Sequence, residues 1–141
     1  MEIRFVLLPL FVEVTLTFVL LVWMAVARKA AFDSGAVRPR DIALREPNWP
    51  AKAAQVANSF SNQFELPVLF YVLTILSIMT RHADLIFLVL AWIFVLCRIG
   101  QAYVHVTSNT VRLRGGIYGI GAIVLMIMWV IFMVRILFGI G

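Results

Sequence analysis

Charge is what this sequence has least of. Only 13 % of its 141 residues are Asp, Glu, Lys or Arg, against about 25 % in soluble domains, and that shortage excludes an ordinary water-soluble fold. Cysteine is almost missing as well. Cys97 is alone, so no disulfide within the chain can staple the fold, and the redox compartment stays open. Two histidines, one cysteine and scattered carboxylates give no recognised ligand spacing, so no metal site is expected. Alternating strand patterns are lacking, and so is a Gly-rich phosphate loop after a strand.

Apolar residues are abundant: 63 % of the chain is hydrophobic and the mean hydropathy is +1.01. They fall in four runs, at about 5–27, 53–80, 84–106 and 116–138. Each run is long enough to cross a hydrocarbon core ~30 Å thick at ~1.5 Å per residue of helix. The expected fold is an all-α integral membrane protein, a four-transmembrane-helix bundle forming one domain over 1–141. The link between the second and third runs is only Thr80-Arg81-His82-Ala83, which forces those helices to be antiparallel neighbours. The N-terminus imitates a signal peptide, with Arg4, an apolar run and Ala25-Val26-Ala27. That run exceeds the ~7–15 residues of a signal core and contains Glu13, so an uncleaved first span is expected.

The net charge of +5 is explained by where it sits and is no nucleic-acid footprint. Arg28, Lys29, Arg38, Arg40, Arg45 and Lys52 lie between the first two spans, and Arg112 and Arg114 between the last two. A Lys/Arg bias of this kind places loops 28–52 and 107–115 in the cytoplasm and both termini outside. Asp41 to Glu46 is expected to form a short surface turn of helix, and Trp49 to sit at the interface.

The informative residues are the polar ones that interrupt the spans. In the second, Gln55, Asn58, Asn62 and Glu65 stand at i, i+3, i+7 and i+10, within roughly 80° on one helix face. A carboxylate at that depth costs about 3 kcal/mol or more unless it faces the bundle and finds a partner. The stripe is therefore either a polar helix–helix contact or a ligand site. Pro67 predicts a kink just past Glu65. In the third span Arg98, Gln101, His105, Asn109 and Arg112 lie within about 60° if the helix persists, and Tyr103 points elsewhere. Counting both ways from the short link puts Glu65 level with Arg98, Asn62 with Gln101 and Asn58 with His105. Glu65 is then expected to neutralise Arg98, as buried charges must be neutralised. Glu13 is expected to face another helix, within reach of Arg135, either as a structural pair or as a functional carboxylate. Gly115-x-x-x-Gly119 is expected to allow close helix approach, and Cys97 to be a small packing residue. Both stripes open toward the basic end, which suggests a polar cleft with Arg112 and Arg114 near its mouth.

These features resemble the MAPEG superfamily, the membrane-associated proteins in eicosanoid and glutathione metabolism. The likeness rests on four spans in this length, a basic first loop, Asn62-x-x-Glu65 followed by Pro67, and Arg98-x-x-Gln101-x-Tyr103 closing span three. The chain looks most like the bacterial branch, which implies a bacterial inner membrane. The resemblance implies a homotrimer with glutathione as co-substrate between neighbouring subunits. Asn62, Glu65, Arg98, Gln101 and Tyr103 would match the family's glutathione-site motifs, and Asn58 and His105 extend the same stripes. A basic residue after span three, Arg112 or alternatively Arg114, would stabilise the thiolate. Asn58 stands four residues before the motif asparagine, where glutathione-using members typically carry arginine.

Three functions follow. The first is a glutathione-dependent transferase or peroxidase acting on lipophilic electrophiles from the membrane. The second is a non-catalytic protein of the same fold that binds lipid or a metabolite. The third is a proton or ion pathway through Glu13, Glu65 and His105.

Overall fold

The computed structural model describes residues 2–44 and 47–140. Arg45, and Glu46 at the end of the expected surface turn, lie outside the described residues. The elements run α1 (Ile3–Asp33), α2 (Pro39–Ile42), α3 (Ala51–Asn62), α4 (Leu66–Met79), α5 (Leu85–Val106) and α6 (Val111–Leu137). Four helical segments are long and apolar enough to cross a membrane: α1, α3 with α4, α5 and α6. Their outward faces are lined by large apolar side chains such as Phe18, Val22, Ile75, Leu96 and Met126, as a lipid-facing surface requires.

The helix ends differ from the hydropathy limits, because leaving the membrane does not stop a helix. The first helix continues past residue 27 to Asp33, supported by a Lys29–Asp33 pair at 2.9 Å. It stops at Gly35, whose φ of +77° takes the left-handed conformation that a side chain disfavours. Likewise α6 begins at Val111, before its glycines. Trp49 does sit among cationic and aromatic neighbours, 4.8 Å from the Arg28 guanidinium and 5.3 Å from the Phe32 ring.

The second span is broken rather than kinked. Pro67 has no N–H for the preceding turn and crowds its carbonyls, so helical geometry is lost across 63–65 and resumes at Leu66. The distortion therefore falls on the N-terminal side of the proline and takes Glu65 with it.

Packing is layered along the bundle. One apolar cluster joins Val6, Phe70, Leu73, Phe94, Val95 and Leu125. A smaller one, toward the basic end, joins Leu20, Val56, Ala102 and Val106. Between them lies a layer of buried polar groups: Glu13, Ser59, Gln63, Arg98, Gln101 and His105. Helix periodicity builds this sandwich. Val6, Glu13 and Leu20 stand seven apart on α1, so one face of that helix is apolar, acidic, then apolar again. Helix α5 touches α1, α3 and α6. It packs closely on α6 at Gly121, where a Cβ would lie 3.5 Å from the Cys97 Cβ. Gly115 and Gly119 have nothing within 4 Å of a Cβ, so the close approach expected of that pair is made at Gly121 instead.

Two polar contacts tie down the ends of α5. Asp84 caps it, accepting from the Phe87 N–H at 3.0 Å and pairing with Arg135 at 2.8 Å. Arg135 therefore serves Asp84 and not Glu13. Burial pushes the Asp84 carboxyl up, but the Phe87 N–H and the Arg135 guanidinium outweigh it and hold the carboxyl below the usual aspartate range. Asp84→Ala is expected to cost about 1–2 kcal/mol at neutral pH, in line with a lost N-cap plus a partly exposed ion pair. The folded chain holds this proton less tightly than the unfolded one. The stabilisation is thus complete above the ordinary aspartate pKa of about 4 and is lost as the pH falls through the depressed folded value. Thermal unfolding of both forms across acid pH checks this, and the two should converge at the acid end.

At the other end of α5, Lys52 donates to the carbonyl of Val106, the last residue of the helix. Its ammonium also lies 5.3 Å from the Trp23 ring. The last helical carbonyls have no partner within the helix, and a charged donor there contributes about 1.5–3 kcal/mol. Lys52→Met is expected to lower the unfolding free energy in detergent by about that much, whereas an unchanged melting curve would show the contact to be inert.

Candidate functional site

The break in the second span, the last turns of α5 and the first turns of α6 enclose a cleft of about 440 Å³, a volume in the usual range for small-molecule sites (~300–1,000 Å³). Asn58, Ser61, Asn62 and Glu65 line one wall, Gln101 and His105 the back, and Arg114, Gly115 and Tyr118 the other wall. The lining thus carries one carboxylate, one guanidinium, three amides, a hydroxyl, a phenol and an imidazole. A ligand with both ammonium and anionic groups, joined by amides, would find a partner for each.

Each wall is placed by a local feature of the sequence. Asn58, Ser61 and Asn62 share a face of α3 at i, i+3 and i+4. A straight helix would keep Glu65 on that face too, about 20° from Asn58, but Glu65 falls in the break. The break leaves it with φ −97° and ψ −106° at the start of α4, and its side chain is exposed to the cleft. On the far wall Arg114 donates to Asn109 Oδ1 at 2.6 Å. Asn109 has a φ of +51°, tolerated by asparagine better than by most residues, and so ends the turn that delivers α6. Arg114 and Tyr118 then lie one turn apart on the same face.

Arg98 lies behind the cleft. It is 1 % exposed, donates from Nη2 to the Asn62 carbonyl at 3.1 Å, and stands 5.7 Å from the centre of the Tyr118 ring. Glu13, fully buried at 0 %, lies in the same layer as Arg98, between the two apolar clusters, on a helix that touches α5. The expected Glu65–Arg98 ion pair is not formed among the described residues, and Glu13 is the buried carboxylate that shares the layer of Arg98. Glu65 is left facing the cleft, near the Tyr118 hydroxyl.

The residues singled out from sequence are distributed as follows. Asn58, Asn62, Glu65, Gln101 and His105 meet in the cleft. Arg98 supports it from beneath. Tyr103 is 68 % exposed on another face of α5 and does not line it. Arg112 and Arg114 part company because α5 stops at Val106 and α6 starts at Val111, so the stripe does not persist through the turn. Arg114 lines the cleft, and Arg112 is exposed on the first turn of α6 outside it. Ser61, Gly115 and Tyr118 were missed. The i, i+4 spacing of Arg114 and Tyr118 was the available signal for the last of them, hidden by starting the fourth span at 116.

No curated protein and no solved structure matches the chain. A family model does, over residues 6–134, a stretch that takes in all of the cleft and nearly the whole of the four spans. With four membrane-crossing helices in one bundle and a polar cleft at one end of it, the chain is an integral membrane protein that belongs to the MAPEG family.

Proposed function

We propose that the cleft binds glutathione and that the protein transfers its thiolate to a lipophilic electrophile, or reduces a lipophilic peroxide, reaching it from the bilayer. The observation that carries this reading is an intramembrane cleft lined by Glu65, Arg114 and amides in a chain of the MAPEG family. Glu65 suits the tripeptide's ammonium group. Asn58, Asn62 and Gln101 suit its peptide bonds and carboxylates. Arg114 is the cation for the thiolate and takes the place of Arg112 in that role. A thiol with a pKa of about 8.5 must lose its proton before it attacks, and an adjacent guanidinium favours the anion. In the transfer, the S–H bond breaks with its proton going to solvent, the sulfur–carbon bond forms and the leaving group departs with its electron pair.

In this reading the protein is a homotrimer, and a neighbouring copy closes the open side of the cleft. Supporting it, a Cβ placed at Gly115, Gly116 or Gly119 would meet nothing within 4 Å among the described residues, and α6 is the least buried of the four spans. The cleft opens at the end carrying Arg28, Lys29, Lys52 and Arg112, which the positive-inside bias assigns to the cytoplasm.

A second reading keeps the cleft and drops the chemistry, as a site for lipid or a metabolite. Asn58 favours it, because an amide stands where glutathione-using relatives carry a charged anchor, and charge-assisted contacts are the strong ones. One experiment separates the two. Purified protein is melted with and without glutathione, then assayed with chlorodinitrobenzene. A ligand at about 100 times its Kd adds about 2.7 kcal/mol to stability. A raised Tm with turnover supports the transferase, and a raised Tm without turnover across an electrophile and peroxide panel supports the second reading. No shift and no turnover would end the glutathione proposal.

A further inference from the structure

Glu13 and Arg98 are buried as deeply as any residues in the protein, yet neither lines the cleft. No ion pair within 4.0 Å among the described residues includes either of them. Both carboxylate oxygens of Glu13, and Nε and Nη1 of Arg98, have no hydrogen-bond partner there. The one hydrogen bond Arg98 gives among the described residues is at the break, where Nη2 donates to the carbonyl of Asn62, the last residue of α3. That carbonyl also accepts from the Glu65 N–H at 3.3 Å. Glu13 on α1 and Arg98 on α5 lie in one layer, bracketed by Val6 and Leu20 on the former helix and by Phe94 and Ala102 on the latter. The two helices touch, while Glu65 stands at the other side of the break in the cleft lining.

We propose that Glu13 is a positioning residue: acting through Arg98, it holds the α3–α4 break in the shape that presents Asn62 and Glu65 to the cleft. A guanidinium in a low-dielectric interior is drawn to the strongest available carboxylate. With Glu13 in place the pull comes from behind the wall, and Nη2 stays on the Asn62 carbonyl. Without it, Glu65 is the carboxylate left, and Arg98 turns toward the cleft, withdrawing Glu65 from any ligand. Glu13 therefore keeps Glu65 free without touching what Glu65 binds.

The test uses the full-length protein with Cys97→Ala, which keeps the Cβ that packs at Gly121, and Ser61→Cys carrying a fluorine label in the cleft wall. Glu13→Gln is expected to shift the fluorine resonance and to weaken glutathione binding about tenfold, the scale on which removing an outer-shell support acts. Glu13→Asp, which keeps the charge, is expected to restore both toward the parent. If Glu13→Gln leaves the resonance and the affinity unchanged, the proposal is overturned. Should Glu13→Gln fail to fold, Glu13→Gln/Arg98→Met removes both charges together. The resonance is still expected to shift, because methionine cannot donate to the Asn62 carbonyl, and an unshifted line would again overturn the proposal. The affinity arm rests on the glutathione reading and the resonance arm does not. A parent protein that binds no glutathione therefore refutes that reading alone, and the label still decides the role of Glu13.

Discussion

Arg98→Met is expected to destabilise the protein by about 3–5 kcal/mol, and adding Glu13→Gln is expected to return most of that loss. Arg98 and Glu13 are 1 % and 0 % exposed, and the Glu13 carboxyl has no hydrogen-bond or ion-pair partner among the described residues, so removing the cation leaves it uncompensated in this layer. Arg135, near the far end of α6, is committed to Asp84. Neutralising both partners leaves two apolar or amide side chains of similar volume, which buried ion pairs tolerate well. The reverse single change, Glu13→Gln, is expected to cost less, since Arg98 retains Glu65 as a second carboxylate. Glu65→Gln, at an exposed position, is expected to change stability by about 1 kcal/mol or less. Unfolding in mixed micelles measures all four. Additive losses in the Glu13/Arg98 double variant would show that the two charges are uncoupled.

The second large effect concerns turnover. Arg114→Ala is expected to lower glutathione conjugation on the order of 100-fold, the scale for removing one preorganised electrostatic partner from a reacting anion. Arg112→Ala is expected to leave it nearly unchanged, because Arg112 lies outside the cleft. Arg114 also holds Asn109, so the lost turn contact has to be separated from the lost charge. Asn109→Gly separates the two causes: it deletes the side-chain contact but accepts the φ of +51°, and it is expected to retain most of the rate. Arg114→Lys keeps the charge as a point rather than a planar fork and is expected to fall between. Equal losses from Arg112→Ala and Arg114→Ala would contradict the assignment.

Much of the fold was readable before any coordinates. Four long apolar runs leave few alternatives for the chain, and the polar stripes of the second and third spans do converge on one cleft. What failed were statements that needed both helices to be straight. Matching depth across the short link paired Glu65 with Arg98, but the break at 63–65 turns Glu65 outward and hands its place to Glu13. The clue was on α1, where Val6, Glu13 and Leu20 share one face, and an acidic residue at a core position must meet a cation in the neighbouring helices. Arg112 was placed on the third-span stripe by carrying its period through residues 107–110, a turn with no helical phase to carry. Its role as the thiolate's cation, with Arg114 as the alternative, came from the family resemblance. The glycine pair misled for a related reason. Spacing alone marks Gly115 and Gly119 as a contact face, yet only Gly121 meets α5 within this chain, where Cys97 and Phe94 present the opposing surface.

The central claim is that the space between the α3–α4 break, α5 and the start of α6 is where glutathione binds. An experimental structure determined with glutathione at saturating concentration tests it most directly. The account predicts density within the cleft, the ammonium end at Glu65 and the sulfur nearer Arg114 than Arg112. Glutathione resting elsewhere on the protein, or a cleft that stays empty at saturation, would contradict it.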